Sequence, residues 1–193
     1  MKAALSIVAL LSLAALAASA ALQSGGAVLS SCAAGARVLV ETRNVTVAGH
    51  EIQVSTKACS ANIINSRSFE KRQTLACGQA TTLSCAVGPA AAPAPADCAA
   101  LQAALPGFVA AQPSPFFVVA PQFVEEVALG TCQYAWINNN AVGGVTLEGC
   151  WTDVETFGSI LTPGCINVGQ NAGIAFPTTA VANDAWIFEV VHS

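Results

Sequence analysis

Between residues 36 and 57 the chain alternates apolar and polar positions in the runs Val38-Leu39-Val40-Glu41-Thr42, Val45-Thr46-Val47 and Glu51-Ile52-Gln53-Val54-Ser55. Ala48-Gly49-His50 separates the last run from the others, and a period of two on either side of a turn glycine predicts a β-hairpin. Further on the period lengthens. Cys98, Leu101 and Leu105 recur at helical spacing behind Asp97, which predicts a helix N-capped by Asp97 and stopped by Pro106-Gly107. Three β-rich runs follow, Phe116 to Val119, Phe123 to Leu129 and Thr131 to Ile137. Cys150, Val154, Phe157 and Leu161 predict a second helix, weakened at Gly158 and closed by Thr162-Pro163-Gly164. Ala185 to Val191 reads as a terminal strand. Helices interleaved with short strands, without a βαβ rhythm, predict an α+β domain: an antiparallel sheet flanked by about two helices.

Eight cysteines run through these elements: Cys32, Cys59, Cys77, Cys85, Cys98, Cys132, Cys150 and Cys165. The N-terminus gives their compartment. Lys2, the apolar run Ala3 to Ala17 and the small residues Ala18-Ser19-Ala20 form a signal peptide over residues 1–20, with cleavage after Ala20. That run is shorter than the roughly 20 residues of a membrane span, and no later apolar segment is longer, so a secreted, extracellular product without a membrane partner is expected. An even cysteine count in an exported chain predicts a disulfide-stapled fold whose pairing stays open. No two cysteines are separated by two to four residues and only two histidines exist, so neither a metal site nor a cofactor is expected. The Ala/Pro stretch between Cys85 and Cys98 predicts an extended loop strapped by disulfides at both ends. Asn44-Val45-Thr46 is the N-glycosylation sequon.

Charge divides the chain at Lys71-Arg72. Residues 21–72 hold six Lys and Arg against three carboxylates, a balance of +3, whereas residues 73–193 hold eight carboxylates and no Lys or Arg. A dibasic pair on such a boundary reads as a cleavage site after Arg72, making residues 21–72 a propeptide with a β-hairpin and residues 73–193 the mature cysteine-rich domain. An uncut surface loop at the pair, and a hairpin that stays as a permanent part of the sheet, are the alternatives. A product without Lys or Arg cannot neutralise phosphates, which excludes nucleic acid as a partner.

Lys71-Arg72-Gln73, Cys77-Gly78, Thr81-Thr82, Cys85, the Pro-rich loop, Asp97-Cys98, Thr131-Cys132 with Tyr134, Trp136 and Asn138, Cys150-Trp151-Thr152-Asp153, Cys165 and Trp186-Ile187-Phe188 together resemble the small secreted cysteine-rich proteins of mushroom-forming fungi. That group is similar to a mushroom glycan-binding, lectin-like family. The resemblance covers about residues 70–191 and implies an α/β sandwich around an antiparallel sheet, together with glycan binding. The chain departs from the family pattern at Thr81 and in the glycine-rich stretch after Cys165, where further cysteines are usual.

The residues themselves support catalysis poorly. His50 and His192 are the sole imidazoles, and general acid–base or nucleophilic mechanisms need an activated group. Glu125 and Glu126 point to opposite faces of a strand, so they cannot act as a glycosidase pair; they and Asp153/Glu155 read as solvated surface. Sugar binding asks for less: an aromatic face beside amides and carboxylates. Tyr134, Trp136, Asn138, Asn139, Asn140, Trp151 and Asp153 form the best constellation of that kind, with Trp151 the aromatic expected to be exposed. The alternative is that Cys132, Tyr134 and Trp136 share a core face and the asparagines form a turn. A non-enzymatic secreted glycan binder is therefore expected, with a protein-binding effector using the apolar residues around Phe116-Phe117 as the second reading.

Overall fold

The hairpin forms as β1 (Arg37–Val47) and β2 (His50–Cys59), with Ala48 and Gly49 both at positive φ (50° and 81°) in the turn. Two left-handed central residues give the turn twist that matches paired strands. The computed structural model describes residues 37–59, 73–87, 91–140, 144–178 and 186–193. Cys32 and the cleavage positions Ala20 and Arg72 lie outside the described residues.

Eight further strands follow: β3 (Gln73–Leu75), β4 (Thr81–Ala86), β5 (Phe116–Val119), β6 (Phe123–Leu129), β7 (Cys132–Asn138), β8 (Thr146–Cys150), β9 (Ala172–Pro177) and β10 (Trp186–His192). Seven make one antiparallel sheet in the order β1-β2-β6-β7-β10-β9-β4, so the hairpin joins the main sheet through β2 and β6. A small sheet, β3-β8-β5, stands beside it, with β3 parallel to β8. Helices α1 (Pro95–Ala110) and α2 (Trp151–Gly164) pack against each other and against the main sheet. The fold is thus mostly antiparallel sheet with two helices, more β-rich than a sandwich of helices and sheet.

Strand alternation selects the core face. On β7, Cys132, Tyr134 and Trp136 turn toward the helices, opposite His192, Val190 and Phe188 of β10. Trp136 stacks on Trp186 at 4.4 Å, with Phe157, Phe188 and Phe117 around them. Helix α2 delivers Val154, Phe157 and Leu161 to this core, as its spacing predicts. Its Gly158 has a packing role: a Cβ there would lie 2.4 Å from the buried Tyr134 ring. The ring cannot retreat, because Tyr134 is 1% exposed and its hydroxyl is 2.7 Å from Thr162 Oγ1. Gly158→Ala should gain about 1 kcal/mol of helix propensity and lose about 1–3 kcal/mol to overpacking. Net destabilisation is expected, read as a lower urea midpoint; a higher midpoint would mean that the helix shifts freely on the sheet.

Both helix boundaries differ from the sequence expectation. Helix α1 starts at Pro95, a residue suited to the first helical position. Asp97 is not its N-cap. Its carboxylate instead accepts the Thr131 N–H (2.8 Å) and hydroxyl (2.7 Å), and these bonds hold its pKa below the ordinary carboxyl value. Pro106 does not stop α1. It lies on the exposed face, where water can meet the carbonyl left without an N–H, and one more turn buries Phe108. Cys150 ends β8 and precedes α2 rather than belonging to it, and Pro163 sits inside the last turn of α2.

Disulfides join Cys77–Cys150, Cys85–Cys165 and Cys98–Cys132. Cys59 is also disulfide-bonded. The Ala/Pro stretch is accordingly anchored at Cys85 and at Cys98, each to a different partner.

Candidate functional site

The residues expected to form a sugar platform are mostly interior. Tyr134 and Trp136 are each 1% exposed and Trp151 is 3% exposed. Trp151 was expected outside because it leaves the Val154/Phe157 stripe. It is instead drawn inward where β8 meets α2: its backbone N–H donates to the Pro115 carbonyl at 3.1 Å, and its ring packs edge-on against Phe108 and tilted on Phe117. Asn138 is fully buried as a structural tie. Its amide donates to the Val119 and Val145 carbonyls (2.8 and 2.9 Å), and its Oδ1 accepts the Asn140 N–H (3.0 Å). Asn140 is buried too, and its carbonyl accepts the Gln122 amide at 2.7 Å. Asn139 alone of the three is exposed. Asp153 is half-buried, accepting the Gly78 N–H at 2.9 Å; burial pushes its carboxyl up, partly offset by that bond. It lies beside the Cys77–Cys150 sulfurs, but bridged cysteines offer no thiolate to a metal. The seven residues therefore do not converge on one open surface.

The acidic pair of β6 also differs from solvated surface. Glu126 is 3% exposed, accepting the Ser55 hydroxyl at 3.0 Å and pairing with Lys57 at 2.6 Å on the face away from the core. On that same face, burial pushes Glu189 of β10 up to about 7, against the charge of Arg37.

Glu125 turns the other way, and there the sheet meets a pocket of about 260 Å³. Register explains the pocket. Glu41 of β1, Thr56 of β2, Glu125 of β6 and Trp136 of β7 lie in one row across the strands. Two positions along β1, Arg43 falls on the same face. Its guanidinium donates to Gln112 Oε1 at 2.7 Å, and Gln112 is itself fixed by its amide bond to the Phe108 carbonyl. The chain leaving α1 then supplies Pro113 and Ser114, β5 supplies Phe116 and Phe117, and α2 supplies the edge of Trp151. Phe116 is 39% exposed because β5 is an edge strand that alternates outward and inward. Thr56 donates to Glu125 Oε2 at 2.6 Å. Burial pushes the Glu125 carboxyl up to about 7; the Thr56 bond and the Arg43 charge pull it down, and Glu41 and Glu126 push it further up.

Of the aromatic and polar residues of the Tyr134-to-Asp153 constellation, Trp151 alone lines this pocket. Arg43, Gln112 and Ser114 carry no local signal, since strand register and a loop bring them together. Glu125 does carry one, as a carboxylate in the middle of an apolar strand.

No family model, no curated protein and no solved structure matches the chain. What the pocket does must be read from its own chemistry.

Proposed function

We propose that this is an extracellular, non-catalytic glycan-binding protein that keeps its hairpin as a permanent part of the sheet through the β2–β6 pairing, and whose ligand seats in the pocket between that hairpin and β5. The observation that carries the reading is the pocket's lining: a partly exposed aromatic ring, Phe116, beside a guanidinium, an amide, a hydroxyl and a carboxyl. An aromatic face packs on sugar C–H groups, and forked polar groups bond adjacent hydroxyls. The volume is just below the roughly 300–1,000 Å³ of typical small-molecule sites, which suits one sugar ring or a chain terminus. Among the described residues Glu125 is the single carboxyl in the lining and no imidazole joins it, so a binding role fits better than two-carboxylate hydrolysis. The resemblance to secreted fungal lectin-like proteins points the same way. Disulfides, and no membrane-length apolar helix among the described residues, fit an extracellular site of action.

The test is a glycan array followed by titration of the best ligand. Phe116→Ala and Arg43→Ala should each weaken binding about tenfold, equivalent to about 1.4 kcal/mol, while Asn139→Ala should leave it unchanged. Normal binding by both pocket variants would move the site elsewhere. A second reading, capture of a protein partner, is favoured by one observation: β1 is an edge strand with Val38, Leu39 and Val40 each 40–52% exposed. Such an edge accepts an added strand, and Leu39→Lys would weaken that contact without touching the pocket.

A further inference from the structure

The glycan reading leaves open which sugars the pocket prefers, and the arrangement of charge around it narrows the choice. Among the described residues Arg43 is the one cation in the lining. Its guanidinium spends a single observed bond on Gln112 Oε1, which leaves further N–H groups of the fork for a planar anion. The groups facing Glu125 come from every neighbouring element: Thr56 from β2, Trp136 from β7, Arg43 and the more distant Glu41 from β1, Phe117 from β5 and Trp151 from α2. Glu126, its chain neighbour, is turned to the opposite face and paired with Lys57. The carboxyl therefore sits among rings and a hydroxyl, with one guanidinium at the rim.

We infer that the pocket selects carboxylated sugars, uronic or sialic acids, by pairing their carboxylate with the Arg43 fork beside the Glu125 carboxyl. This rests on the glycan reading above. The geometry makes selectivity a matter of one proton. With Glu125 protonated, the lining carries one positive charge, and the acid can donate its O–H to the ligand. With Glu125 ionised, the lining is neutral overall and a second carboxylate is repelled. The sign follows directly: the sugar carboxylate is ionised above about pH 4, and Glu125 keeps its proton until about pH 7. Binding is strongest between those limits and falls below the lower and above the upper one, by up to tenfold per pH unit for a single linked proton. The whole chain carries a net charge of −4, so general electrostatics would disfavour acidic ligands and a preference for them has to arise locally.

The test uses the full secreted chain and a panel of uronic and sialic acid trisaccharides, each beside its methyl ester, which keeps the ring and removes the charge. Titration at pH 5.5 and pH 8 should find an acid bound at least tenfold tighter than its ester at pH 5.5, with most of that advantage gone at pH 8. Glu125→Gln, verified as folded by near-UV circular dichroism, should hold the acid at both pH values, and Arg43→Gln should bind acid and ester alike. Equal binding of acid and ester by the unaltered protein, or a pH response that survives Glu125→Gln, would overturn the inference and leave the glycan reading standing. No binding by any member of the panel or by any neutral saccharide would overturn both.

Discussion

Replacing Trp136 with alanine should cost about 3–5 kcal/mol, the range for truncating a buried aromatic. The ring is 1% exposed, stacked on Trp186 and edge-on to Phe117. Among the described residues its indole N–H has no hydrogen-bond partner, so the loss is one of packing rather than of a polar contact. Against a total stability of about 5–15 kcal/mol for a typical domain, this substitution alone brings the protein near its unfolding threshold. Urea unfolding followed by far-UV circular dichroism measures it, and a change below 1 kcal/mol would mean that the core collapses around the missing ring. Trp136 does not line the pocket but backs two residues that do, Phe117 and Glu125, so the folded fraction should bind its ligand at most about tenfold more weakly. A direct role of Trp136 in sugar contact would instead appear as lost binding with little lost stability.

The double substitution Cys98→Ala with Cys132→Ala should cost about 4 kcal/mol. The bridge closes a separation of 34 residues, for which the chain-entropy model gives roughly that amount. Both half-cystines are fully buried, so the missing sulfurs also leave a void. The start of α1 keeps a second tether to the β6–β7 turn, because Asp97 and Thr131 stay bonded. The predicted phenotype is thus an early unfolding transition with α1 still in place under native conditions. A midpoint within 1 kcal/mol of the unaltered protein would show that these bonds alone fix α1.

How much of this is legible in the sequence depends on the range of the interaction. Strand alternation is local, so the hairpin, β5, β6 and β7 follow from their side-chain patterns, and so does the burial of Tyr134 and Trp136 behind Cys132. Helix ends depend on distant partners. Asp97 looks like a cap until Thr131 is brought beside it by the Cys98–Cys132 bridge, and Pro106 looks like a stop until Phe108 finds the core one turn later. Trp151 looks exposed on a helical wheel. It is buried because β8 feeds it into the space between Phe108 and Phe117. The asparagine run shows the same limit: Asn138 bonds to the Val119 carbonyl of β5 and, with Asn140, to the Val145 carbonyl across the following loop, whereas Asn139 remains at the surface. The pocket is the least legible feature, since Arg43 and Glu125 meet through strand register while Gln112 and Phe116 arrive from the chain leaving α1 and from the second sheet.

Helix α2 is flanked by two half-cystines, Cys150 before its first residue and Cys165 after its last, and of their partners Cys77 precedes β4 while Cys85 lies within it. The two bridges and the two stretches of backbone between them form a covalent ring. A single cut in either arc of that ring opens it without releasing a fragment, so a protease that nicks α2 leaves every piece of it attached to the protein. In a protease-rich extracellular fluid, damage at the helix under the core would then be survivable: the severed ends stay within reach of their sites, and the protein can persist in nicked form for as long as both bridges stay oxidised.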